Sequence, residues 1–406
     1  MSGSCGAGQA KTITLGEVLR AGLPALEQAQ RRPTHHWKVL RALCACRTEA
    51  LGGHCYLCQS CGKTHWAANS CGNRHCPSCQ KLQSAQWLDR QIEHVLPIPY
   101  FHLVFTLPHR LNPLIQHNQK LLYKLLFASA SATLLEFGRN NLQASLGITA
   151  VLHTWSQTLL DHYHLHCVVT GGGLSLDGKN WIGRGAKWLF PIRALSTVFR
   201  AKFRDGLQRL FKEGKLTFPK SEPSLSDPVA FARYLQQTCR ANWVVYAKRP
   251  FAGPEAFLAY LCRYTHRVAI SNNRIERLDR EKGAVTFRYK DYGQGGRMRE
   301  MTLALGEFLR RFCLHILPPH LVKIRHYGLL SNRGRSERIE QARALLAPAP
   351  SPVQELGPQP SSVIKEAPAP RRVCPFCGSS EVMLIAVLGR PRRHPVSRQS
   401  PLCDSS

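Results

Sequence analysis

The sequence predicts an α+β protein: an antiparallel sheet with helices on one face, preceded by a small zinc-ribbon-like domain and followed by a disordered Pro-rich tail. The first observation behind this prediction is the order strand, long helix, strand, strand between residues 98 and 170. The second is a pair of Cys-x2-Cys motifs ahead of those elements. The third is a stretch rich in Pro, Ala and Ser from 347 to 372. We therefore expect domains at 1–98, 99–346 and 347–406.

Each element of the sheet follows from a local pattern. Residues 98–108 are aromatic and β-branched and end at a proline, which is typical of a strand. Residues 111–145 repeat apolar side chains with helical period. Two further strands are predicted at 147–155 and 164–170, the second closed by a turn at Gly171–Gly173.

The remaining segments are predicted in the same way. Helices are expected at 14–30 and 34–44, and a basic helical run at 200–215. Further strands are expected at 242–251 and 268–270, with a hairpin pairing 274–278 with 284–289. Residues 300–346 have a helical pattern.

Length and charge limit the class of function. With 406 residues the chain can hold two or more domains, and its formal net charge is +30. Such an excess favours a polyanionic partner, with nucleic acid ahead of an anionic membrane surface. Because the sequence shows neither an apolar stretch of membrane-spanning length nor a signal-peptide pattern, we expect a cytoplasmic protein without a membrane partner.

The cysteines indicate metal binding. Half of the 16 fall between residues 44 and 79, and in a cytoplasmic protein this clustering favours a metal over disulfides. The doubled motif predicts one structural Zn²⁺ site with four thiolate ligands, Cys58, Cys61, Cys76 and Cys79. Two questions stay open at this point. Cys71 and His75 could join Cys55 or His65 in a second site, and the isolated knuckle Cys374–Cys377 could pair with His394 and Cys403, with another chain, or with no metal.

Two histidines are predicted to share one face of a strand. Side chains alternate along a strand, so His164 and His166 project to one side and Leu165 and Cys167 to the other. Imidazoles about 7 Å apart along the strand can converge on one metal ion. On this triplet alone, two unrelated histidines are the simpler explanation.

Two tyrosines are predicted to share one face of a helix. Pro254 and Glu255 are helix-start signals, and the helix they open carries Tyr260 and Tyr264 one turn apart. A pair of core aromatics is the alternative, but flanking basic residues favour a wet, electropositive surface. Basic residues interleaved with Tyr and His suit contacts to single-stranded nucleic acid. The candidates for such contacts are Arg263, Arg267, Lys248, Lys323 and Arg325.

The ordered set of a doubled zinc knuckle, a His-apolar-His strand and a two-tyrosine helix resembles the rolling-circle transposases of the insertion sequence 91 type, within the HUH nuclease superfamily. The resemblance runs across residues 30–346. The segments that carry it are Ser70–Cys79, Tyr100–Pro108, His164–Gly173, Trp243–Phe251, Tyr260–Ser271, Phe287–Tyr292 and Ile324–Arg335.

This resemblance implies a bacterial enzyme that cuts one DNA strand through a 5′-phosphotyrosine, acting on single-stranded DNA at element ends and target. It assigns His164 and His166 as ligands of a catalytic Mg²⁺ or Mn²⁺, and Tyr260 and Tyr264 as the nucleophile pair. The third metal ligand stays open among His102, His153, Asp161 and His162, and the oligomeric state stays unknown. A plasmid relaxase or replication initiator with the same chemistry, and a non-catalytic zinc-containing DNA-binding protein, are the alternatives.

Overall fold

The computed structural model describes residues 12–29, 32–183, 190–248, 265–347 and 372–389. The helices there are α1 (Leu15–Ala29), α2 (Thr34–Cys44), α3 (Pro77–Ile92), α4 (Asn112–His117), α5 (Gln119–Leu142), α6 (Ile192–Lys212), α7 (Pro228–Thr238), α8 (Leu305–Leu314) and α9 (Arg335–Leu346). The strands are β1 (Gly53–Cys58), β2 (Thr64–Ala68), β3 (Tyr100–Thr106), β4 (Ala144–Trp155), β5 (Asp161–Ser175), β6 (Trp181–Gly183), β7 (Val245–Lys248), β8 (Ile275–Asp279), β9 (Ala284–Asp291), β10 (Arg297–Ala304), β11 (Ile324–Gly328) and β12 (Val382–Leu388).

The central sheet confirms the predicted fold class. Its strands run in the order β11-β4-β5-β3-β7, with β6 paired to β5, and every pair is antiparallel. One face packs on α4 to α7 through a large apolar core that includes Leu103, Phe105, Leu165 and Cys167. The alternation of side chains along β5 therefore sends the histidines to the opposite face, as predicted.

Helix α5 lies in this core. Among the helices of the described ranges, α5 is long and apolar enough to cross a membrane by length and composition alone. The expectation that the chain lacks a stretch of this length is therefore wrong. In the structure 61% of its most apolar window is buried. Its side chains pack against the sheet and α6.

Two smaller sheets flank the central one. Strands β8, β9 and β10 form an antiparallel meander whose buried residues share a core with α1, α2 and α8. The predicted pairing of β8 with β9 is confirmed. Strands β12, β1 and β2 form the third sheet, in that order, which joins residues near the C-terminus to the cysteine-rich region.

The glycine run after the histidines was interpreted wrongly as a turn. Strand β5 continues through Gly171–Gly173, and the turn comes later, at Gly178. A Cβ on Gly173 would lie 2.3 Å from the carbonyl oxygen of Ser145 in β4. These residues are glycine because neighbouring backbone approaches too closely for a side chain.

Two other local predictions fail for tertiary reasons. Residues 268–270 are outside any strand, and the region 300–346 contains β10 and β11 as well as α8 and α9. Strand β11 forms because residues 324–328 pair with 147–151 of β4, a contact that local periodicity does not report.

Candidate metal centres and active site

Three histidines meet on the face of the central sheet opposite α4 to α7. His153 lies on β4 directly opposite His164 on β5, and His166 follows two residues later on the same face. One ring nitrogen from each lies within 4.8 Å of those of the other two. Of the four candidates for the third ligand, His153 is the one that lies with His164 and His166.

Hydrogen bonds orient two of these rings. His164 Nδ1 donates to the carbonyl oxygen of His162 at 2.8 Å, which leaves its Nε2 with a lone pair. His166 Nδ1 is hydrogen-bonded to Nε2 of buried His102 at 2.9 Å. Partners of this kind fix the tautomer and direction of a metal-binding imidazole. His164 therefore presents Nε2 as its ligand atom.

Burial keeps His164 and His166 neutral. Desolvation, with a smaller contribution from His162, lowers the pKa of His164 to about 3. Desolvation, with His164 next, also holds the pKa of His166 well below its usual value. Since neutral imidazole is the form that binds metals, both rings are ready to act as ligands at neutral pH.

A cavity of about 400 Å³ opens over the histidines. Its other wall comes from Arg267 and from the end of β9 and the following turn, which contribute Tyr289, Lys290 and Tyr292. Cations facing imidazoles make the cavity suited to an anionic ligand such as a phosphate. Tyr289, Lys290 and Tyr292 were not predicted as site residues, because only the hairpin's tertiary position brings them to the histidines.

The predicted nucleophiles lie outside the described residues. Tyr260, Tyr264 and Arg263 all fall in the interval 249–264. The described residues on both sides of that interval lie near the histidine cluster. Lys248 ends β7 opposite His102, on the histidine face, and Arg267 lines the cavity.

Two predicted DNA-contacting residues, Lys323 and Arg325, make contacts within the protein. The ammonium group of Lys323 is enclosed, donates to the carbonyl oxygen of Arg267 at 2.6 Å, and lies 5.4 Å from the centre of the Trp155 ring. Burial, and then Arg74, lowers the pKa of this group to about 7. Arg325 projects to the helix-covered face, 4.2 Å over the ring of Phe127. Both residues are half-buried, and their contact with DNA stays a prediction.

The thiols of the predicted zinc quartet belong to two clusters. In the first cluster, Sγ of Cys46 lies 3.6 Å from that of Cys79 and 3.5 Å from that of Cys76, and Sγ of Cys71 lies 3.6 Å from that of Cys79. Four sulfurs bound to one zinc at about 2.3 Å lie about 3.8 Å apart at the corners of a tetrahedron. The first cluster therefore has the dimensions of a closed zinc site.

The second cluster contains Cys58 and Cys61, the other Cys-x2-Cys pair of the predicted quartet. Cys58 and Cys61 meet Cys374 and Cys377, 313 to 319 positions away in sequence. The single site predicted from Cys58, Cys61, Cys76 and Cys79 is thus wrong in its grouping. The spacing identified two Cys-x2-Cys knuckles, but each knuckle finds its partner thiols elsewhere in the fold.

The other residues considered near the first cluster have structural roles. His75 Nε2 accepts from the backbone amide of Leu317 at 3.1 Å, while its Nδ1 is hydrogen-bonded to Asn73. Cys55 and His65 belong to neither cluster within the described ranges. His394 and Cys403 lie outside the described residues.

Two family models and two sequence relatives match this chain. Residues 147–338 match a family described as "Putative transposase", and residues 18–107 match the "Transposase zinc-binding domain" of insertion sequence 91 elements. The chain is 45% identical over 386 residues to "Putative transposase y4qJ" of Sinorhizobium fredii, covering 93% of this chain and 95% of that protein. It is 29% identical to the "Transposase for insertion sequence element IS801" of Pseudomonas savastanoi pv. phaseolicola, over 85% of this chain and 82% of that protein.

Among solved structures, a "Conjugative Relaxase Trwc In Complex With Orit DNA" is 14% identical with a TM-score of 0.25, covering 64% of this chain and 98% of that one. A score this low carries no argument about function. The sequence relatives define the class: the chain is a transposase with an N-terminal zinc-binding domain. More particularly, it belongs to the insertion sequence 91 family of transposases.

Proposed function

We propose that this transposase moves DNA by a rolling-circle route, cutting and rejoining single-stranded DNA through a 5′-phosphotyrosine. The observation that carries the proposal is the cluster of His153, His164 and His166 under a cavity that Arg267 and Lys290 help to line. The net charge of +30 supports a nucleic-acid partner. Acting on bacterial DNA, the protein would work in the cytoplasm.

The histidine cluster fits a divalent ion by its donor atoms. His164 is held in the tautomer that presents Nε2, and burial keeps His164 and His166 neutral. Imidazole nitrogen suits transition metals, whereas Mg²⁺ prefers oxygen ligands. Of the two ions that the sequence indicated, we therefore favour Mn²⁺. When bound, such an ion would withdraw charge from the scissile phosphate.

The described residues on either side of the segment that carries the two tyrosines lie near the histidines. Tyr264 is three residues before Arg267, so their Cα atoms are separated by at most about 11 Å. The interval 249–264 also starts from Lys248 on the histidine face. Both ends of the segment that carries Tyr260 and Tyr264 are therefore anchored beside the candidate metal ligands.

The reaction proposed for a tyrosine is an in-line transesterification. The phenolic oxygen forms a bond to phosphorus, the bond from phosphorus to the 3′ oxygen breaks, and the phenolic proton passes to water. The 3′ oxygen takes up a proton and leaves as a hydroxyl, while the 5′ end stays on the protein. Because the product is again a phosphodiester, a 3′ hydroxyl can reverse the step.

Cavity residues have separate tasks in this reaction. Arg267 and Lys290 are placed to hold the phosphate and to offset its charge. Two tyrosines allow two covalent ends, one from the element and one from the target, to be exchanged.

Two other functions would share either the chemistry or the DNA binding proposed for this chain. A plasmid relaxase or replication initiator would share the chemistry, but the sequence relatives are named as transposases. A non-catalytic zinc-containing DNA-binding protein would bind the same DNA and would never form a covalent bond to it.

The proposal is tested with a labelled single-stranded oligonucleotide from the element's end, incubated with the protein and Mn²⁺ and analysed on a denaturing gel. A labelled protein–DNA adduct is expected for the natural protein and not for the Tyr260→Phe/Tyr264→Phe double variant. Binding of the correct end sequence without any adduct would overturn the enzymatic proposal in favour of the non-catalytic one.

A further inference from the structure

We propose that Cys58, Cys61, Cys374 and Cys377 form a second zinc site, which fastens the C-terminal segment 372–389 to the zinc-binding domain. The match to that domain ends at residue 107, so Cys374 and Cys377 lie outside it. This proposed zinc site does not depend on whether the chain cleaves DNA.

The four thiols have the spacing of a zinc tetrahedron. Sγ of Cys58 lies 3.6 Å from Sγ of Cys377, and Sγ of Cys61 lies 3.7 Å from Sγ of Cys374. All four sulfurs lie within 4.8 Å of one another, and all four are free thiols. These separations match the edge of about 3.8 Å expected for four thiolates on one zinc ion.

The backbone at the two pairs repeats one conformation. The amide of Gly62 donates to the carbonyl oxygen of Cys58 at 2.9 Å, and the amide of Gly378 donates to that of Cys374 at 2.9 Å. The two glycines have φ of 68° and 76°, in the left-handed region. Each pair is thus a tight Cys-x-x-Cys-Gly knuckle, so the site has two similar halves from distant parts of the chain.

Backbone pairing holds the halves in register. Strand β12 lies antiparallel to β1, with Cys58 opposite Val382. Beyond the strands, the amide of Gln59 donates to the carbonyl oxygen of Glu381 at 2.9 Å. The hydroxyl of Ser60 is hydrogen-bonded to that of Ser379 at 2.7 Å and donates to the Glu381 carboxylate at 2.9 Å.

Apolar burial contributes little to this attachment. Six of the seven residues of β12 are exposed, including Leu384 and Val387. Cys374, by contrast, is only 1% exposed. A short segment with few buried side chains needs another source of stability, and zinc bound to four thiolates supplies it.

The consequence is that the C-terminal segment is part of the zinc-binding domain and not an independent tail. Each chain then carries two structural zinc ions, one bound by Cys46, Cys71, Cys76 and Cys79 and one bound between the two ends of the chain. Pairs of cysteine substitutions should reveal which thiols share an ion.

The test is the zinc content of the purified full chain, measured by elemental mass spectrometry. The Cys58→Ser/Cys61→Ser and Cys374→Ser/Cys377→Ser variants should each lose one zinc ion per chain, and the variant combining all four changes should also lose only one. Cys239→Ser, at a cysteine outside both clusters, is the matched control and should keep the natural content. An unchanged zinc content in Cys374→Ser/Cys377→Ser, or a loss of two ions in the combined variant, would overturn the proposal.

A second measurement does not depend on the variants folding. A protease site placed between residues 348 and 371 allows the natural cysteines to be kept while the chain is cut. After cleavage the C-terminal fragment should elute with the rest of the protein, and a zinc chelator should release it. A fragment that separates before chelation, with the zinc content unchanged, would contradict the proposed attachment.

Discussion

The histidine cluster and the cysteine clusters could each hold a metal ion, but they differ in what positions their ligands. The histidines sit on adjacent, fully paired strands of a sheet with a large core on its other face. The thiols of the second cluster sit on knuckles at the end of a small sheet with an exposed edge strand. The fold alone positions the histidine cluster, whereas metal binding at the second cysteine cluster would stabilise the fold around it. Metal removal should therefore affect function in one case and folding in the other.

The largest expected effect is at the first cysteine cluster. Cys76→Ser/Cys79→Ser removes half of the ligands of an ion whose binding is worth roughly 10 kcal/mol in small zinc domains. We expect residues 53–92 to lose hydrogen-exchange protection while the central sheet keeps its own. Equal loss in both regions would show that the two sites are not energetically separate.

The next effect is at the histidine cluster. His164→Ala should reduce adduct formation by more than about 100-fold, the upper range for removing a residue that only supports a metal ligand. Its circular dichroism spectrum and zinc content should match those of the natural protein. The exposed His117→Ala is the control and should cleave normally. Full activity in His164→Ala would exclude this histidine as a ligand.

A smaller effect is expected for the residue behind His166. His102→Ala removes the ring hydrogen-bonded to Nδ1 of His166 and should weaken Mn²⁺ binding by about 10- to 100-fold. Titration followed by electron paramagnetic resonance measures this affinity. His102→Gln keeps a side-chain amide that can form a hydrogen bond and should recover part of the loss. Equal affinities of the two variants would argue for a packing role alone.

The sheet that positions the histidines should be sensitive to a single methyl group. Gly173→Ala places a Cβ against the backbone of β4 and should lower the free energy of unfolding by about 1–3 kcal/mol. Urea denaturation measures this change. Gly306→Ala adds the same methyl group to α8 where space is open, and should leave stability unchanged or slightly higher.

A further effect is a pH dependence of stability away from both metal sites. Burial, and then Arg335, lowers the pKa of His326 to about 4, and its Nδ1 lies 3.0 Å from the Thr149 hydroxyl. The unfolded chain binds this proton near pH 6.5, so stability should fall as pH drops from about 6.5 towards 4. His326→Asn should show a shallower fall over this range. An identical slope in both proteins would remove His326 as a source of the acid sensitivity.

The same contrast explains how far the sequence predicts the structure. The shared face of His164 and His166 follows from strand alternation, a local property. The addition of His153 requires the register between two strands, and the pairing of Cys58 with Cys377 requires a contact 319 positions long. Periodicity and spacing carry no information of that kind. The helical prediction for 300–346 fails at 324–328 for the same reason, since pairing with β4 decides the conformation there.

The most direct test is to locate the DNA on the protein. Trypsin cleaves after Arg263 and so separates Tyr260 from Tyr264, which allows mass spectrometry of the adduct to assign each one. We predict nucleotide attached to the peptide 249–263 or 264–267. Attachment instead to Tyr289 or Tyr292, which line the same cavity, would contradict the account of the two-tyrosine helix as the source of the nucleophile.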